Sequence, residues 1–225
     1  MSYFSLTQNQ GITLHNQQFS YKTIQKPVTG SYKEKGSKFL AFAYPVHSEA
    51  EIRERLEALK KKYFDARHHC FGWMLGPEKQ KFRAFDDGEP NHSAGDPILG
   101  QIRSHELTNI LIVVVRYFGG VKLGVGGLIG AYRAAAADAL ASATIIEEEV
   151  SDVLEIRYDY AAMPEIMRLV KANSLSISGQ EFSQENVLKV VCPLRIKDEL
   201  LTKLERIRID HPTLLFHIAN EEASA

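Results

Sequence analysis

Six consecutive apolar residues, Ile110 to Val115, lead into "RYFGGVKLGVGGLIG" and then into the alanine-rich "AYRAAAADALA". A run of that length without a polar break fits a central strand buried on both faces. The glycines then form a loop, and a helix follows from about Gly127 to Ala143. A strand, a glycine loop and a helix in succession turn backbone N–H groups and a helix N-terminus toward one point. This unit limits the possible architectures more than any other part of the chain.

The spacing excludes the best-known nucleotide loops. A Walker A loop needs GxxxxGK[ST], whereas Lys122 precedes the later glycines and no GK pair is followed by Ser or Thr. A dinucleotide fingerprint needs GxGxxG. Counting from Gly124, the third glycine falls on Ile129, and counting back from Gly130 the first falls on Val125. Acidic residues near Glu147 stand where a ribose partner would be sought, which leaves nucleotide binding as an alternative. Two readings of the segment stand side by side. In one, Gly119, Gly120, Gly124, Gly126 and Gly127 present backbone amides to an anion flanked by Arg116, Lys122 and Arg133. In the other, Gly119, Gly120, Gly126 and Gly127 supply positive φ for a tight turn, and Gly130 with the alanines lets the helix lie close on the sheet.

A second concentration of chemistry lies in "DARHHCFGW" and "FDDGEPNHSAGDP". His68, His69, Cys70, Asp86, Asp87, Glu89 and His92 are suitable types for acid–base or metal chemistry. Adjacent histidines on a strand point to opposite faces, however, and no H-E-x-x-H or CxxC spacing occurs. No metal and no cofactor are therefore assigned. The segment also reads as turn chemistry, with the acids holding a loop or pairing with Arg67 or Arg83. Cys70 reads as a small core residue, and no Gly-x-Ser-x-Gly elbow suggests a hydrolase.

The rest of the chain reads as α+β. Residues 31–46 fit a strand, and "SEAEIRERLEALKKKYFDA" a helix capped by Ser48 and Glu51 with a stripe of Ile52, Leu56, Leu59 and Tyr63. Lysines 60–62 are expected on a solvated face. "HHCFGWML" is a strand, Gly76 to Asp96 is turn-rich, and Asp96 with Pro97 opens a helix. A boundary falls near "TIIEEEVSD". Beyond it the order is strand, helix, strand, strand, helix, strand, a ferredoxin-like βαββαβ unit. The last strand, "HPTLLFHIA", alternates poorly, which leaves its register open. Two domains are expected, 1–145 with a core of about 20–145, and 150–220.

Composition narrows the function. The chain has 225 residues, 44% hydrophobic and 24% charged, with a net charge of −1. Bulk charge therefore cannot attract nucleic acid, and only a local basic face could. Two widely separated cysteines suit a reducing compartment. The N-terminal "MSYFSLTQNQGITLH" shows no signal-peptide pattern, and no apolar run is long enough for a membrane span. A cytoplasmic protein is expected.

"DARHHCFGWMLG", "FDDGEP", "AGDPIL" and "VVVRYFGGVKLGVGGLIGAYRAAA", in that order, resemble the IMPACT family, in particular its bacterial YigZ-type members. Lys38 stands where the family often has arginine, and Asn91-His92 is bulkier than the usual small pair after "DGEP". The resemblance implies an N-terminal βαβ-type domain like those of a small-subunit ribosomal protein and of elongation factor G domain IV. It also implies a ferredoxin-like tail like domain V of that factor. It further implies a translation-related accessory or regulatory role, with RNA or the ribosome as partner. Arg116, Gly119, Gly120, Lys122, Gly124, Gly126, Gly127 and Arg133 would form the binding face, flanked by His68, His69, Asp86, Asp87 and Glu89. Two alternatives remain: an enzyme or phosphate-binding protein using the same groove, and a protein-interaction module acting through the C-terminal domain.

Overall fold

A computed structural model describes residues 19–182 and 186–219. The N-terminal "MSYFSLTQNQGITLH" lies outside them. Ten elements make up the first part of the chain. These are β1 (Ser20–Ile24), β2 (Val28–Glu34), β3 (Ser37–Pro45), α1 (Glu49–Lys62), β4 (His68–Leu75), β5 (Lys81–Phe85), α2 (Gly95–Ser104), β6 (Ile110–Tyr117), α3 (Gly124–Ala141) and β7 (Ile145–Glu149).

The apolar run is the middle strand of a five-stranded antiparallel sheet ordered β2-β3-β6-β4-β5. Its alternation sorts the core. Ile110, Ile112 and Val114 face α2 and α3, while Leu111, Val113 and Val115 join the cluster beneath α1. Both layers are dry, so β6 needs apolar residues at every position. In α1, Ile52 and Leu59 are buried, and Leu56 and Tyr63 pack at the margin. Ser48 Oγ accepts from the Glu51 N–H, but the Glu51 carboxylate reaches the His47 N–H instead of closing a box on Ser48.

Several elements differ from the sequence reading. Residues 31–46 form two strands, because Lys35 and Gly36 both take positive φ and fold the chain into a hairpin. The turn-rich segment contains β5, an edge strand of the sheet. Helix α3 starts at Gly124, earlier than Gly127. At the expected boundary, β7 pairs antiparallel with β1 across more than a hundred residues of chain. No local pattern encodes that pairing.

The second core belongs to β8 (Ser151–Tyr158), α4 (Met163–Ala172), β9 (Ser176–Phe182), β10 (Asn186–Pro193), α5 (Lys197–Asp210) and β11 (Leu215–Ala219). The strands form an antiparallel sheet ordered β11-β8-β10-β9, the ferredoxin-like arrangement. Register settles the ambiguous last strand. Phe216 lies opposite Ile156 and Ile218 opposite Leu154, so these two turn inward while Leu215 stays exposed. Together the two cores make a two-domain α+β architecture. Among the described residues no helix is long and apolar enough to cross a membrane.

Close packing of α3 does not use the glycine expected for it. A Cβ on Gly130 would meet nothing within 4 Å. The contact is made from the strand side, where a Cβ on Gly30 would lie 2.2 Å from the Ala139 backbone nitrogen. The buried alanines 135, 136 and 139 provide the matching small face. Gly30→Ala is therefore expected to lower stability by about 3 kcal/mol through overpacking against backbone. Gly130→Ala should raise it by up to ~1 kcal/mol by removing a flexible residue from a helix. Denaturant titration of the two variants measures both, and opposite signs are the expected result.

Candidate nucleic-acid interface at the glycine-loop end of the sheet

Strand β6 ends at Tyr117, where the chain enters the glycine loop beside the β2–β3 hairpin. Gly119 lies so close to the hairpin that an added Cβ would come within 1.9 Å of the Gly36 carbonyl carbon, and its N–H donates to Ser37 Oγ at 3.2 Å. Gly120 and Gly124 take positive φ, 88° and 73°. Gly126 and Gly127 are already helical. The turn thus depends on Gly120 and Gly124, and the later pair serves the first turn of α3. That turn has no side-chain cap, since Leu123 stands at the capping position.

The three cations expected around this loop separate in space. Lys122 is exposed at the loop itself. Arg116 is buried, and its Nη1 donates to Glu89 Oε1 at 2.5 Å. Tyr132 Oη on α3 donates to the same oxygen at 2.8 Å, and Cys70 Sγ donates to Tyr132 Oη at 3.3 Å. The guanidinium also lies over the rings of Phe39 and Phe118, 5.4 and 5.7 Å from their centroids. Arg116 is thus taken up internally rather than presented to an incoming anion. Arg133 sits nine residues into α3 from Gly124, roughly 14 Å along the axis. There it lines a groove of about 410 Å³ between α2 and α3 with His92, Asp96, Gln101 and Ile129.

The "FDDGEP" acids also work inside the fold. Asp86 Oδ1 accepts from the N–H groups of Ala94 and Gly95, and its Oδ2 from that of His92. It therefore caps α2 from a distance. The expected cap, Asp96, lies inside the first turn instead and pairs with His92 at 2.7 Å. Burial alone would raise the Asp86 pKa, but the three backbone donors outweigh it and hold the carboxyl below its ordinary value. Asp87, at φ 44°, accepts the His69 N–H on its carboxylate at 2.6 Å, and its carbonyl accepts from His68 Nδ1 at 2.8 Å. His69 points to the α1 side, buried, with Nε2 unpartnered among the described residues. Burial lowers its pKa against the opposing pull of Asp87. Burial likewise pushes the Cys70 thiol well up, which keeps it protonated and unreactive. No group of three or more His, Cys, Asp or Glu among the described residues is placed to hold a metal.

Lysines outside the glycine motif also gather at this end. Lys33, Lys35 and Lys38 stand exposed on the hairpin next to the glycine loop. Lysines 60–62 close α1 at the same end, since the Tyr117 hydroxyl donates to Asp65 just beyond that helix at 2.8 Å. None of these lysines, nor Lys122, forms an ion pair among the described residues. The available sequence signal was the repeated lysine in "SYKEKGSK", and only the hairpin brings it to the loop.

Two outcomes follow from the buried network. Glu89→Gln leaves the Arg116 charge buried without a counter-charge and should cost about 3–5 kcal/mol, against ~1 kcal/mol for Tyr132→Phe, in denaturant unfolding. Because the Asp86 pKa is depressed on folding, its stabilisation is present above the ordinary value of 3.8 and is lost as pH falls through the lower folded value. Asp86→Asn should therefore flatten the acid limb of the stability profile below about pH 4.

Comparison with known proteins identifies the family. The Impact N-terminal domain model matches residues 35–140. The IMPACT family member YvyE of Bacillus subtilis is 30% identical over 168 residues, 75% of this chain and 77% of that protein. The IMPACT family member YigZ of Escherichia coli is 30% identical over 180 residues, 79% of this chain and 88% of that protein. A crystal structure of a hypothetical protein superposes with a TM-score of 0.70 at 29% identity, covering 91% of this chain and 99% of the other. The chain belongs to the IMPACT family, as a member of its bacterial YigZ type.

Proposed function

We propose that the protein is a translation-related accessory factor of the cytoplasm that binds RNA, free or in the ribosome, at the glycine-loop end of its first sheet. The observation that carries this reading is the cluster of unpaired lysines at that end: Lys33, Lys35 and Lys38 on the hairpin, 60–62 on α1, and Lys122 in the loop. In a chain with net charge −1, lysines gathered at one end without ion-pair partners favour a local positive field suited to a polyanion. The uncapped first turn of α3 adds backbone N–H donors beside Lys122. Gly119 and Gly120 shape the loop, and Gly124, Gly126 and Gly127 keep side chains away from those donors. The translation setting comes from the family resemblance.

The contacts of the acids near this face support the binding reading over an enzymatic one. Asp86, Asp87 and Glu89 accept from backbone N–H groups, Arg116 and Tyr132, contacts that give each carboxylate a task within the fold. They hold the loop that backs the face. Charge reversal at Lys35, Lys38 and Lys122 tests the reading without touching the buried pair. The triple Lys→Glu variant should weaken RNA retention in filter binding by well over tenfold. It should also reduce the log–log salt slope by about 2, since each phosphate contact on a single strand contributes ~0.7. It should also lose salt-sensitive co-sedimentation with ribosomes. Unchanged affinity and slope would remove this face from consideration.

A further inference from the structure

Phe39, Phe42 and Phe71 of the first sheet are at most 8% exposed, whereas Phe82 and Phe85 on the edge strand β5 are 50% and 36% exposed. At the basic end, off the strands themselves, two further rings face solvent, Phe64 at 83% and Phe118 at 53%. Each is set among cations. Phe64 follows lysines 60–62 and precedes Arg67, and Phe118 lies between Arg116 and the glycine loop that carries Lys122. The two loops are joined by the hydrogen bond from Tyr117 to Asp65, so the rings belong to one end of the molecule.

Phe118 is also held from behind. The Arg116 guanidinium lies 5.7 Å from its ring centroid, and that guanidinium is fixed in turn by Glu89 and by the Phe39 ring. One flank of the aromatic rests on a charge that cannot move away. The rest of the ring stays in solvent. An exposed aromatic beside unpaired lysines is the arrangement by which proteins hold a nucleic-acid strand, with stacking on base faces and cations along the phosphates. Duplex RNA offers phosphates but keeps its base faces stacked inside, so it could use only the cations.

From this we infer that Phe64 and Phe118 are base-stacking platforms that make the basic end selective for unpaired RNA over duplex. The inference rests on the RNA-binding reading above and names the form of RNA that this site takes. The shared end of the sheet provides phosphate contacts for either form, and the two rings add a contact available only to a strand with free bases. Phe64 stands clear of the packed core, and Phe118 touches it through the Arg116 guanidinium, which Glu89 and the Phe39 ring still hold when the Phe118 ring is removed.

The full chain is titrated with a short oligouridine and with a short duplex RNA of mixed sequence, in wild type, the Phe64→Ala/Phe118→Ala double variant and the triple lysine variant. The double variant should bind the oligouridine at least tenfold more weakly. Its affinity for duplex should match wild type, and its thermal midpoint should fall by only a few degrees, the share of one cation–π contact. The triple lysine variant should lose both ligands. A Phe118→Trp variant gives a direct reading, because Trp73 is the only native tryptophan and is buried. Its added fluorescence should be quenched by oligouridine and not by duplex. Wild-type affinity for oligouridine in the double variant, with binding still lost in the lysine variant, overturns the stacking inference and leaves the RNA reading standing. Equal weakening for both RNA forms overturns the selectivity. Retention of neither RNA by wild type overturns both. Binding of a protein in place of RNA, abolished in the double variant, would reassign the rings to a protein contact.

Discussion

The buried pair of Arg116 and Glu89 is the constraint around which the functional end of the molecule is arranged. Two charges removed from water are costly unless geometry and further contacts compensate. Here Tyr132 fills the same carboxylate oxygen, and two aromatic rings flank the guanidinium. The pair joins the end of the central strand to the 86–96 loop, and Tyr132 adds helix α3. Asp86, in that same loop, caps α2. One short acidic segment thereby fixes the positions of the sheet end and of the two helices packed on it.

That arrangement explains why the acids and the lysines of this region have opposite fates. The carboxylates are close enough to backbone N–H groups and to Arg116 to be absorbed into the fold, so they add little negative field outside it. The lysines stand on a hairpin tip, on a helix C-terminus and in the glycine loop, and carboxylates beside them turn to other partners: Glu34 accepts from the Tyr32 hydroxyl and Asp65 from that of Tyr117. Lysines at the end of α1 also suit the negative end of the helix dipole. A protein near neutrality overall acquires a positive end through segregation, with Glu147, Glu148 and Glu149 placed elsewhere on the β1–β7 ribbon.

Legibility in the sequence followed the range of the interaction. The central strand, α1, β4 and the βαββαβ order of the tail were readable, because each is a long segment with its own period. The β2–β3 hairpin was read as one strand, since positive φ at Lys35 has no marker beyond the glycine after it. The outer strand β5 was hidden in turn chemistry, and β1–β7 pairs segments from either end of the domain. At the site, Lys122 and the glycine loop were visible as a motif. Arg116 belonged to the same motif, yet its partner Glu89 lies in another, 27 residues earlier, and burial of the pair assigns it a structural task. Asp96 looked like the cap of α2 by adjacency, whereas Asp86 performs that task across a loop whose closure no local rule describes.

By itself the sequence determined the family, the two-domain α+β class, the buried central strand and the glycine loop that ends it, because periodicity, glycine spacing and motif order are properties of contiguous residues. The tertiary structure alone decided which charges are spent inside and which face solvent. That outcome depends on desolvation and on partners brought together from distant segments. It moved Arg116 and Glu89 inward, tied Asp86 and Asp87 to backbone N–H groups, left Arg133 in a separate groove, and placed the hairpin lysines, Lys122, Phe64 and Phe118 at one exposed end.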